Sequence, residues 1–271
     1  MRSTRHALLA TLATLAAAAP LAAQRAPDAR ALVAQAERLQ DVDDAGAFRL
    51  MEQALPLLRR PEDRALRMKA LALRCWTSAG IVESAAQTAM AEAGMAEARA
   101  AGDARAYADL RVCRGYAHEL ADQRDAAVAD YDFGVREGRR LRDDPVLAAA
   151  LMVRGELRYY LGELGGALED LNEAYALYAR LGVESRKRHT LNAIANVYAD
   201  RRVAQYDRAL EYYRQVLASN QRAGAQVNVA TTLFNLGSTL EQKGDLDAAL
   251  GYYRRALEAE RRLDDVGEVA E

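Results

Sequence analysis

Arg74, Arg114 and Arg154 stand 40 residues apart, and in two of the three cases an acid follows sixteen residues later: Asp130 after Arg114, and Asp170 after Arg154. On a helical hairpin that spacing puts guanidinium and carboxylate on facing sides, so each pair reads as a structural, partly buried ion pair. The competing use of a regular row of guanidinium groups is an anion-binding ladder. Arg74 has Met90 at the matching place and is the member expected to be free. The remaining chemistry is sparse. His118 and His189 have no Cys or His at metal-ligand spacing. No Gly-rich phosphate loop, G-x-S-x-G motif or Cys–His pair with an orienting third group is present. These residues point away from catalysis, and no enzyme activity, cofactor or metal site is expected.

The elements that must carry them are clearest in Thr231 to Leu257. Leu233, Leu236, Gly237 and Leu240 lie on one helical face, and Ala249, Tyr253 and Ala256 on the next. Gly237 and the alanines suit a place where two antiparallel helices cross closely. Lys243-Gly244-Asp245 supplies a Gly able to take positive φ and an Asp able to cap the following helix. The pattern returns upstream. Cys75, Gly115 and Gly155 are spaced by 40 residues, and Ala195 to Gly237 by 42, with a turn two residues longer at Arg201 to Tyr206. A hairpin of this kind cannot bury its apolar stripe alone, so several must stack.

The Leu236-Gly237…Leu240…Ala249…Tyr253…Ala256 pattern resembles the signature of a tetratricopeptide repeat (TPR). The resemblance implies an all-α fold, a right-handed α-solenoid of about six hairpins, at 28–60, 62–101, 104–141, 145–181, 186–223 and 226–263, with a further helix starting at 264–271. The first pair, with Ala47, Met51 and Ala54 on its packing face, reads as an amino-terminal cap. A ~40-residue period against the common 34 implies a longer second helix or following loop.

The same resemblance implies that first helices line a concave groove and that a peptide or protein partner binds there. Carried over position by position, the groove takes Leu73 and Trp76; Val112, Tyr116 and Glu119; Met152, Glu156, Tyr159 and Tyr160; His189, Asn192 and Asn196; and Phe234, Asn235 and Ser238. Trp76, Tyr116, Tyr159, Asn192, Asn196 and Asn235 are the expected contacts, since an Asn amide offers donor and acceptor together to an extended backbone. In that register Cys75 faces its partner helix and Cys113 the groove, so two separate thiols are expected; a disulfide would need converging geometry.

Met1 to His6 is a basic lead, Ala7 to Ala19 an apolar run and Pro20 to Gln24 a small-residue exit, which read as a secretory signal peptide over 1–23, cleaved near Ala23. The run is short of the ~20 apolar residues that span a bilayer, so the mature chain is expected not to insert into a membrane. Loss of Arg2 and Arg5 takes the formal charge from −2 to −4, which disfavours nucleic acid. An exported, periplasmic, non-catalytic scaffold is the resulting expectation. The signal peptide and long repeats also resemble the periplasmic sensor region of bacterial membrane-bound signalling enzymes of the diguanylate cyclase or histidine kinase type. A third possibility is a self-assembling envelope scaffold.

Overall fold

The computed structural model describes residues 28–40 and 43–269, with side chains through Leu263. The expected signal peptide and its cleavage after Ala23 lie outside the described residues.

Among the described residues six helical hairpins follow one another: α1 (Ala29–Leu39) with α2 (Asp44–Ala54), α3 (Arg64–Thr77) with α4 (Ser84–Ala101), and α5 (Ala104–Leu120) with α6 (Arg124–Leu141). Next come α7 (Asp144–Leu161) with α8 (Leu164–Leu181), α9 (Glu184–Ala199) with α10 (Tyr206–Ala223), and α11 (Gln226–Lys243) with α12 (Leu246–Val269). Two short 3-10 turns, Leu55–Leu57 and Pro61–Asp63, join α2 to α3, where Pro56 and Pro61 cannot continue an α-helix. No strand occurs among the described residues, and none of their helices is long and apolar enough to cross a membrane. Each helix packs on the next in sequence, and the first helices α3, α5, α7 and α9 also touch one another along the array. That second set of contacts builds a continuous wall of first helices.

Local sequence explains where the helices begin and end. Asp103 and Asp143 accept from the backbone N–H of Ala106 and Val146 at 2.9 and 3.0 Å, satisfying donors that a helix start leaves free. Gly244 ends α11 at φ +96°, and Asp245 accepts from Ala248 N–H at 3.2 Å, so the Lys243-Gly244-Asp245 turn closes as its residues require.

The close crossings are equivalent from hairpin to hairpin. A Cβ placed on Gly115 would sit 2.7 Å from the Tyr131 ring, one on Gly155 2.8 Å from Leu171, and one on Gly237 2.8 Å from the Tyr253 ring. In every case the glycine faces the residue sixteen positions later. At the amino end Ala47, Met51 and Ala54 are wholly buried, which seats the cap hairpin on the array.

The second helices α4, α6, α8 and α10 hold 18 residues each, and only Gly162-Glu163 and Gly182-Val183 flank α8, so the added length of the repeat lies in the helices, second helices included, rather than in those turns. One expectation about length needs correction. No new helix starts at 264; α12 runs unbroken to Val269. Where Gly182 and Gly224 end α8 and α10 in the left-handed conformation, α12 continues into Asp264-Asp265, which supplies no such stop.

Candidate functional site

Two cavities open on the first-helix wall, and together they take up the six residues expected to contact a partner. Trp76, Tyr116 and Asn192 line a cavity of about 690 Å³ running from α3 to α11. Tyr159, Asn196 and Asn235 line a second of about 390 Å³ between α7, α9 and α11. Leu73, Val112 and Met152 share one repeat position but turn inward, 6%, 0% and 3% exposed, so Leu73 and Val112 are core rather than groove. Phe234 is 54% exposed and rests on the Tyr253 ring, with centroids 5.4 Å apart.

In the larger cavity Trp76 Nε1–H donates to Asp109 Oδ1 at 2.9 Å, and its ring lies 6.2 Å from that of Tyr116. Burial pushes the Asp109 carboxyl above the ordinary carboxylate range. Glu119 is raised as well, first by burial and further by the nearby Glu156. Burial drives the Tyr131 phenol upward, so it stays protonated and donates to Glu119 Oε2 at 2.7 Å. Glu156 Oε1 lies 2.7 Å from His189 Nε2, and Arg188 Nε donates to Asn220 Oδ1 at 3.0 Å.

The second cavity is lined mostly by polar side chains. Buried Tyr213, its phenol also pushed upward, donates to Asn196 Oδ1 at 2.5 Å. The Asn196 carbonyl is therefore committed to the fold. Asn192 and Asn235 side chains make no hydrogen bond among the described residues. Asp200 is held below the usual carboxylate range by Arg202, which donates through Nε and Nη2 at 2.9 Å each.

The arginine–acid pairs lie beside the groove, inside the hairpins. Arg114 donates through Nε and Nη2 to Asp130 at 2.8 and 2.9 Å; Arg154 does the same to Asp170 at 2.8 and 2.7 Å. Asp130 and Asp170 are 2% and 4% exposed, and each receives a second guanidinium, from Arg111 at 2.7 Å and Arg158 at 2.8 Å. Arg74 is not free. Its Nη1 lies 3.3 Å from Glu52, while its Nε is buried without a partner because Met90 replaces the acid. Arg114 and Arg154 make the corresponding backward contact with Glu92 at 3.4 Å and Asp132 at 2.8 Å. Sequence reasoning passed over these three acids, each 22 residues before its arginine, although Glu52, Glu92 and Asp132 repeat at the same 40-residue interval. Arg186 and Arg188 on the cavity rim carried no such signal.

The expectation of two separate thiols is overturned. Cys75 and Cys113 form a disulfide across α3 and α5, with Cα atoms 6.3 Å apart. Direct contact between the two first helices turns Cys113 toward α3, and both sulfurs are buried away from the groove. The bond sits one residue before Trp76 and three before Tyr116, so it ties together the helices that present those rings.

Residues 187–262 match the family model described as tetratricopeptide repeat. No curated protein matches the chain. Among solved structures, BtubC (BKLC) from P. vanneervenii superposes with a TM-score of 0.65 at 14% identity, over 88% of this chain and 93% of that one. The apo form of RapI gives 0.55 at 13% identity, over 88% and 99%. A Rap protein complexed with Competence and Sporulation Factor gives 0.63 at 13% identity, over 86% and 75%. With the equivalent crossings at Gly115, Gly155 and Gly237, these likenesses show an all-α solenoid of stacked helical hairpins, within which residues 187–262 match the tetratricopeptide repeat.

Proposed function

We propose that the chain is an exported, non-catalytic scaffold that holds a peptide, or an extended segment of a partner protein, along its first-helix groove. The observation that carries this reading is that successive first helices bring Trp76, Tyr116 and Asn192 into one cavity and Tyr159, Asn196 and Asn235 into the next. Rings and amides on rigid helices are ordered before a ligand arrives, which lowers the entropic cost of capture. The structural likeness to a Rap protein in complex with Competence and Sporulation Factor supports a binding role for such a wall. Export is supported by the leader-like first 23 residues and by the buried Cys75–Cys113 bond, which suits an oxidising compartment.

The test is affinity capture from envelope extract with wild type and an Asn192→Ala/Asn235→Ala variant; Asn196 is left alone because its amide supports Tyr213. Loss of one partner from the variant is the expected result, and equal recovery of every partner by both proteins would remove the groove reading.

A second reading, the sensor region of a longer signalling protein, is favoured by one feature. Leu250 and Leu257 on α12 are each 48% exposed, whereas Leu210 and Leu217, 40 residues earlier on α10, are 2% and 8% exposed beneath the next hairpin. The α12 face is thus of a kind that another helix covers elsewhere in the array. Reading the gene beyond Glu271 tests this, and an immediate stop codon would dismiss it.

A further inference from the structure

The larger cavity is walled by aromatic rings. Trp76, Tyr116 and Tyr160 come from α3, α5 and α7, and Tyr160 keeps 75% of its surface exposed although its ring also touches Tyr159 at 5.4 Å. Between these rings stand two carboxylates. Glu156 occupies in α7 the repeat position that Tyr116 holds in α5 and Trp76 in α3, each 40 residues apart. Glu119, one turn further along α5, is close enough to Glu156 for the two charges to repel, and both influence Tyr116 and Tyr160.

Each carboxylate has one oxygen engaged. Glu119 Oε2 accepts from Tyr131, and Glu156 Oε1 contacts His189. Glu119 Oε1 and Glu156 Oε2 have no hydrogen-bond donor among the described residues. On the other wall Arg188 Nε donates to Asn220, and the Arg186 charge bears on both Asp109 and Tyr116. The half of the cavity framed by Tyr116 and Tyr160 presents aromatic rings together with one carboxylate oxygen each of Glu119 and Glu156 that accepts no hydrogen bond among the described residues. Ring faces attract cations through their quadrupole, and a half-buried carboxylate attracts them more strongly still.

We infer that this cavity receives the cationic side chain, lysine or arginine, of an extended peptide, seated against Tyr116 and Tyr160 and neutralised by Glu119 and Glu156. The inference rests on the groove-binding reading and names the chemistry of its ligand. An acidic peptide is disfavoured at this point because it would add a third negative charge to two that already repel.

The chain's single tryptophan is Trp76, so its emission reports directly from the cavity wall. The probe is a nine-residue, end-blocked Gly/Ser/Ala peptide with one central lysine or arginine, compared with otherwise identical peptides carrying glutamine or glutamate. Saturable change with the basic peptides is expected, with affinity at least tenfold weaker for glutamine and none measurable for glutamate. Glu119→Gln, which still accepts from Tyr131, and Tyr160→Ala, at a solvent-exposed ring, are each expected to weaken lysine-peptide binding several-fold with unchanged thermal unfolding. Equal binding of all four peptides, tighter binding of the glutamate peptide, or no response to the basic ones would overturn the inference. If the capture experiment still yields a groove-dependent partner in that event, only the ligand chemistry fails; if it yields none, the groove reading fails with it.

Discussion

Arg154 spans two hairpins through Asp170: Nε and Nη2 meet both oxygens of that buried carboxylate at 2.8 and 2.7 Å, while Nη1 reaches back to Asp132 at 2.8 Å. One guanidinium thus closes its own hairpin and clips it to the preceding one. Removing it leaves Asp170, 4% exposed, with only Arg158 for compensation. Arg154→Ala is expected to cost about 3–5 kcal/mol, and Arg154→Lys most of that because an ammonium cannot reproduce the fork. Chemical denaturation of the variants measures it, and a loss below about 1 kcal/mol, the range of exposed pairs, would mean the clip is ornamental.

Arg74 supplies the converse experiment. Its Nε is buried without a partner at the place where Arg114 and Arg154 have an aspartate. Met90→Asp should complete the fork and raise stability by about 1 kcal/mol, the net worth of a charge-assisted bond after desolvation. The same substitution in an Arg74→Ala background should be destabilising. A gain in both backgrounds would show that the benefit does not come from Arg74.

Much of this was legible beforehand. The return of Cys75, Gly115 and Gly155 every 40 residues placed the hairpins, because only small side chains tolerate those crossings, and Arg114 and Arg154 could be matched to acids sixteen residues on. The disulfide was not legible, since Cys113 precedes the crossing residue Gly115 by two, and only the contact between α3 and α5 turns it toward Cys75. Nor could spacing along one chain reveal that Asn196 would be taken by Tyr213, or that Arg186 and His189 would share a cavity with Trp76.

The disulfide closes a loop with a sequence separation of 38 residues. Cys75→Ser/Cys113→Ser is expected to cost roughly 2–4 kcal/mol, chiefly by freeing the unfolded chain. Intact mass after alkylation without reductant checks the bond itself: no label should be taken up, and two labels per chain would show free thiols.

Asp109 sets a pH dependence. Burial raises its carboxyl in the folded protein, so the folded state binds this proton more tightly than the unfolded one. The resulting stabilisation is fully present below the unfolded value near 4 and is lost as pH rises through the higher folded value. Asp109→Asn keeps an acceptor for Trp76 Nε1–H and should flatten the fall in urea midpoint above about pH 4. Parallel curves for the two proteins would contradict the assignment.

The central claim is that the wall of first helices is the working surface, and amide hydrogen exchange on the protein with its captured partner tests it most directly. Added protection is expected in α3, α5, α7, α9 and α11, with α4, α6, α8 and α10 unchanged. Protection confined to those second helices, or to the Leu246, Leu250 and Leu257 face of α12, would contradict it.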